Sequence, residues 1–205
     1  MVTTFKRSTG FTMIEMVVVL GIIGVLAAVL TPLVSNYVDQ SRIARAQSDC
    51  RTIGDAIARF ERDVGRYPMF TSASTGTGLM EDSDANVIRL EGPGSSVSDT
   101  SGNSSNWVNG STASTLVNQL LTNAPGYSTT SSLAKPFKWK GPYLNPDTDP
   151  WGNKYLVNII NAKSASGLAC FVLSAGPDGV VQTPFSISAN SQVSASSDDI
   201  IYRIR

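Results

Sequence analysis

Histidine is absent from all 205 residues. That absence excludes a Ser-His-Asp triad, an imidazole acid–base catalyst and any His-ligated metal centre. Cysteine is scarce, with only Cys50 and Cys170 present. Two thiols cannot build a disulfide framework or a four-thiolate zinc site. They could form one bridge if their domain lies outside the cytoplasm, or stand as two buried thiols. Net charge is lacking as well, because 16 basic residues balance 16 acidic ones. No broad basic field exists to hold nucleic acid, so no nucleic-acid partner is expected. Neither a Gly-x-Ser-x-Gly elbow nor a phosphate-binding loop occurs. An enzyme is therefore not expected.

What the chain does have is a long apolar run. Between Phe11 and Val34 the only formally charged side chain is Glu15. A bilayer core takes roughly 20 apolar helical residues, and this run is long enough. Lys6 and Arg7 precede it, which predicts a cytoplasmic N-terminus and an outward C-terminal part. The run exceeds the apolar region of a secretory signal and shows no convincing Ala-x-Ala cut, so the helix is expected to be kept. Glu15 sits badly there: a charge near a membrane helix centre costs roughly 2.5–3.5 kcal/mol, less toward an end. No basic residue follows until Arg42, about 40 Å along a helix. A cut after Gly10 would create a cation, the free amine of Phe11, one helical turn from Glu15. The two could pair within a chain or between neighbouring chains.

Lys6-Arg7-Ser-Thr-Gly10, then Phe11-Thr-Met-Ile-Glu15, then an apolar helix, resembles the class III signal of type IV pilins and type II secretion pseudopilins. The resemblance implies that prepilin peptidase cuts after Gly10 and methylates the Phe11 amine. It implies that Glu15 pairs with a neighbour's N-terminus as a filament assembles. It also implies a homo-oligomeric filament serving protein secretion, with minor pseudopilins or pilins and an inner-membrane assembly platform as partners. The location implied is a single pass through the inner membrane, with the C-terminal domain in the periplasm or outside. Gly21, Gly24 and Pro32 read as helix-packing positions, and the resemblance suggests that the stretch from Gly24 to Pro32 extends within a filament. A minor or surface pilin with a loop for DNA or a surface is the alternative within the superfamily. A membrane-anchored binding module or enzyme is the alternative from another class.

After the span the pattern becomes amphipathic. Ala46, Cys50, Ile53, Ile57, Phe60 and Val64 recur at spacings of 4 and 3, one stripe of a helix. Gly65 and Pro68 mark its end. Residues 70–135 are rich in Ser, Thr and Gly and read as loops. Within them Ser114 or Thr115 can cap a short helix carrying Leu116, Leu120 and Leu121, and Trp107 is expected to tack the loop to the domain. Asn103 and Asn109 begin Asn-x-Ser patterns, a weak glycosylation signal. Asp149-Pro150-Trp151-Gly152 suits a type I turn. Residues 154–160, 168–174 and 199–205 read as strands. The expectation is an α+β fold: a long N-terminal helix packed on a small antiparallel sheet, with long loops. Its parts are a leader at 1–10, an apolar helix at 11–34, an amphipathic stalk at 35–66 and a globular domain at 67–205.

The segments 141–155 and 174–178, with 198–200 more loosely, resemble the globular domain of the major pseudopilin of type II secretion. Major pseudopilins bind calcium in the matching loop. The resemblance therefore implies calcium held by Asp178 and by Asp198 or Asp199, with the Ala175 carbonyl as a further ligand. The chain departs from that pattern in the long stretch between Asp178 and Asp198, which puts their convergence in question.

Overall fold

The computed structural model describes residues 10–71, 87–102, 104–108, 113–130, 137–163 and 166–205. The basic leader residues Lys6 and Arg7, the Asn103 and Asn109 patterns and part of the Ser/Thr/Gly-rich insertion lie outside the described residues. The chain divides into two compact units, Met1–Ser41 and Arg42–Arg205.

Helix α1 runs from Met13 to Val64. Its start is set by Thr12 and Glu15. The Thr12 amide and hydroxyl both donate to Glu15 Oε2, at 2.8 and 2.7 Å, and the Glu15 amide donates to Thr12 Oγ1 at 3.3 Å. This reciprocal capping box satisfies amides that the first helical turn leaves without partners. Through the first unit the apolar side chains face outward, among them Phe11, Ile14, Leu20, Leu26 and Leu30. The helix passes through residues 24–32 without a break. Pro32 has no N–H to offer the Ala28 carbonyl, and one residue earlier the Thr31 hydroxyl donates to the Ala27 carbonyl at 2.7 Å.

In the second unit the expected stripe is the buried one. Ala46, Cys50, Ile53, Ile57 and Phe60 are buried, and Val64 is partly so. Phe60 meets Tyr127 and Tyr143 edge-on, with ring centroids 4.9 and 5.5 Å apart. The Gly65 amide closes the helix on the Glu61 carbonyl at 2.7 Å. A Cβ at Gly54 would lie 2.5 Å from the Tyr202 ring, so only glycine lets the last strand approach the helix this closely.

The strands are β1 (Arg89–Glu91), β2 (Ser98–Asp99), β3 (Ala113–Thr115), β4 (Leu156–Val157), β5 (Phe171–Ser174), β6 (Val180–Val181) and β7 (Ile200–Arg203). Five form one sheet in the order β3-β1-β4-β5-β7, and β2 pairs with β6 separately. Strands β1, β4, β5 and β7 are antiparallel neighbours. The sheet is mixed rather than wholly antiparallel, because β3 joins β1 in parallel. Both β1 and β3 come from the Ser/Thr/Gly-rich region, which was expected to supply loops and one short helix. That helix is a single wide turn at Val117–Leu121 following β3, with the Asn118 amide on Thr115 Oγ1 at 3.0 Å. The strand expected over 154–160 is only two residues long, because the chain turns into a 3-10 helix at Ile159–Ala162. One core lies where α1 packs against the sheet. A second gathers Val97, Trp107, Phe171, Val181 and Phe185, and within it helix α2 (Ser104–Trp107) places the Trp107 ring.

Candidate functional site

Three groups of residues bear on function, and the first is the N-terminal junction. Gly10 and Phe11 lie just ahead of α1, outside any helix or strand, and Phe11 is 82% exposed. Glu15 sits in the first turn of α1 with its carboxylate on Thr12. In the uncut chain Glu15 is therefore a helix cap. The T-x-x-E signal for that cap was present in the sequence, and reading Glu15 only as a charge passed over it.

The second group is the turn at Asp149–Gly152. The Gly152 amide donates to the Asp149 carbonyl at 3.0 Å, closing the turn as expected. Asp149 itself is only 2% exposed. Its Oδ1 accepts the Trp151 and Asn153 amides at 3.0 and 2.7 Å, and its Oδ2 accepts the Ser174 hydroxyl at 2.9 Å. Ser174 Oγ in turn accepts the Gly176 amide at 3.3 Å, and the Asn153 side chain donates to the Gly176 carbonyl at 3.4 Å. The turn thereby holds the start of the 174–179 loop.

The third group is that loop and its partner at 198–199. A Cβ on Gly176 would fall 2.5 Å from the Asp198 carbonyl oxygen, so the two segments touch where only glycine fits. Asp178 is held by the Val180 amide and the Gln182 side-chain amide, both at 2.8 Å. Asp199 Oδ2 accepts the Gln182 and Thr183 amides at 2.9 and 2.6 Å. Gln182 thus connects Asp178 to Asp199. Burial pushes the Asp199 carboxyl above its ordinary value, and these amide bonds offset only part of that shift. Ala175, the residue before Gly176, is buried. Among the described residues no three acidic, cysteine or histidine side chains form a metal cage, so Asp178 does not close on Asp198 and Asp199 as a third carboxylate. Yet Asp198 Oδ1, Asp199 Oδ1 and Gln182 Oε1 are all buried with no hydrogen-bond partner. Hard oxygen acceptors left without donors fit a cation such as calcium, which takes carboxylates, carbonyls and amide oxygens together. Gln182 was not among the residues expected from sequence, and no motif marks it.

The cysteines do not form a bridge; both are free and buried. Cys50 Sγ lies 3.9 Å from the Ile200 carbonyl at one end of β7, whereas Cys170 exchanges backbone bonds with Ile204 and Arg205 at the other end. The length of β7 separates them, beyond the reach of a disulfide. Burial raises both thiols, Cys170 to about 12 and Cys50 further, with Asp49 and Asp149 adding to the shift at Cys50. They behave as small apolar core residues.

A polar cluster ties the insertion to β4. Arg89, 5% exposed, donates to Glu91 at 2.7 Å and to the Val108 carbonyl at 3.0 Å, and Lys154 reaches Glu91 at 2.6 Å. Burial alone would raise the Glu91 carboxyl. The bonds from Lys154 and Arg89 outweigh it and hold the carboxyl below its usual value. A cavity of about 200 Å³ beside this cluster is lined by Trp107, Val97 and Leu156.

The described chain thus combines an exposed apolar helix behind a Gly-Phe junction with a small α+β unit, and comparison with known proteins finds the following similarities. Residues 5–31 match the prokaryotic N-terminal methylation motif. The chain is similar to type II secretion pseudopilins and type IV pilins. The type II secretion system core protein G of Pseudomonas aeruginosa is 36% identical over 63 residues, 31% of this chain and 44% of that protein. The core protein G of Escherichia coli K12 is 26% identical over 177 residues, 86% of this chain and 87% of that protein. The toxin coregulated pilin of Vibrio cholerae is 30% identical over 70 residues, 34% of this chain and 31% of that protein. The alignments thus span less than half the length of the Pseudomonas and Vibrio relatives. No solved structure matches the chain significantly.

Proposed function

We propose that this chain is a structural subunit of a type II secretion pseudopilus or a related type IV pilus-like filament, and not an enzyme. The observation that carries the reading is the outward apolar face of α1 over residues 13–38, behind a methylation motif at residues 5–31. An isolated chain cannot leave such a surface in water. A bilayer covers it before assembly, since α1 is long and apolar enough to cross one, and neighbouring copies cover it afterwards. In this reading prepilin peptidase cuts after Gly10, the Phe11 amine is methylated, and the amine neutralises Glu15 of an adjacent copy. The second unit then faces the periplasm or the outside, and minor pseudopilins and an inner-membrane platform assist assembly. Mass spectrometry of the N-terminus from the membrane fraction should find a chain that begins with methylated Phe11. Intact Met1 in assembled material would reject the reading.

The same loop geometry supports a structural cation. Asp198 and Asp199 would hold it through their unpartnered oxygens and Gln182 through its Oε1; the Ala175 carbonyl stays a further proposed ligand, and Asp178 reaches the group only through Gln182. Calcium bound there would supply positive charge to adjacent carboxylates that otherwise repel. An ion that binds only the folded chain stabilises it by about 2.7 kcal/mol at a hundredfold excess over Kd. Chelation should therefore lower the melting temperature of the full chain in detergent, and calcium should restore it. Identical melting curves with calcium and with chelator would remove the site.

A further inference from the structure

Strand β6 is held along both edges, and by different parts of the chain. On one edge the insertion adds β2: the Ser98 amide donates to the Gly179 carbonyl at 3.0 Å and the Thr100 amide to the Val181 carbonyl at 2.9 Å. In a trans peptide the carbonyl and the next amide point to opposite sides. The Gln182 amide accordingly turns away from β2 and donates to Asp199 at 2.9 Å. The Thr183 amide follows it at 2.6 Å, and the Thr183 carbonyl accepts the Trp107 indole N–H at 2.9 Å. Trp107 also belongs to the insertion. It is 1% exposed and packs edge-on against Phe185 at 4.7 Å.

The insertion therefore reaches the Asp199 carboxylate by two routes, through β2–β6 pairing and through Trp107 and Thr183. The first route is not stable by itself. Strands β2 and β6 are two residues each, far below what an isolated pair needs. Of the five buried side-chain polar atoms without a partner among the described residues, four are acceptor oxygens: on Asp99 in β2, on Gln182 just after β6, and on Asp198 and Asp199. The fifth is the Trp139 indole nitrogen. Unmet acceptors thus gather on the two edges of β6. A buried acceptor without a donor is costly to keep closed, which favours local opening around β6.

We propose that a divalent cation held at Asp198 and Asp199 acts as a latch for the insertion, fixing β6 and, through β6 and Thr183, ordering residues 95–102 and Trp107. This rests on the cation reading given above and goes beyond it, because the effect falls on a segment that supplies none of the ligands named there. The latch couples the ion concentration around the filament to the conformation of the loop region the subunit presents.

Hydrogen exchange on the full chain in detergent tests the latch, with calcium chloride against chelator and magnesium as a third arm. At calcium a hundredfold above Kd, exchange should slow about a hundredfold at residues 180–183 and 198–200. It should slow by a similar factor at residues 98–100, while α1 residues 46–60 stay unchanged. Asp199→Asn should remove both effects. Trp107→Phe keeps a ring in the core but loses the N–H donor. It should retain calcium protection at 198–200 and lose most of it at 104–108. Protection at 180–183 and 198–200 without any at 98–100 and 104–108 would overturn the latch and leave the cation site standing. No calcium effect at any of these segments would overturn both.

Discussion

Replacing Glu15 with alanine should leave the chain in the membrane and reduce filament yield at least tenfold, the factor that about 1.4 kcal/mol per subunit contact supplies. In the uncut chain the Glu15 carboxylate is occupied by the Thr12 amide and hydroxyl. After a cut at Gly10, the Phe11 amine enters a zone where the next cation is Arg42. An ammonium and a carboxylate in a low-dielectric setting attract far more strongly than in water, and each one alone is expensive there. In the proposed filament, pairing between copies would fix how far one helix slides along the next. The alanine variant also loses the Glu15 half of the capping box and with it part of the helix start. Glu15→Gln separates the two roles, because glutamine can still cap but carries no charge. Both variants should fail to assemble at equal expression. Filaments from the glutamine variant alone would assign Glu15 to capping, and normal filaments from both would show that it has no role in assembly.

The parts of this chain legible in its sequence are those where a single period or a single local turn decides the structure. The 4-3-4-3 stripe from Ala46 to Phe60 became the buried face of α1 because nothing competes with it over that length. Asp149-Pro150-Trp151-Gly152 closed as a turn because three of its four residues favour that geometry on their own. Strands β1 and β3 were not legible. Each has three residues, too few to show alternation, and each is stabilised by pairing with a distant segment. The same holds for the loop around Asp199. Its candidate ligands come from 175, 178, 182 and 198–199, and only the fold shows that Gln182 bridges two of them while Asp178 stays outside a shared cage. Cysteine pairing was open by sequence, and it was decided by which end of β7 each thiol meets.

Asp149→Ala should be the most damaging single change in the second unit, lowering stability by about 4 kcal/mol. The Asp149 carboxylate is buried and is neutralised by donors alone: the Trp151 and Asn153 amides and the Ser174 hydroxyl. Hydrogen bonds to a charged group contribute about 1.5–3 kcal/mol each, and three sharing one acceptor do not add fully. Truncation leaves all three donors without their acceptor, and Ser174, itself fully buried, has no water to turn to. The loss spreads further, because Ser174 Oγ also receives the Gly176 amide and Gly176 touches Asp198. The 174–179 loop should loosen along with the turn. For a unit of this size each kcal/mol moves the melting temperature by about 2–4 °C, so a fall of about 12 °C is expected by thermal circular dichroism. Asp149→Asn keeps Oδ1 for the two amides and presents an N–H₂ to a hydroxyl that can accept, so its loss should be well under half as large. An alanine variant melting within about 3 °C of the parent, roughly 1 kcal/mol, would show that the turn holds without its carboxylate.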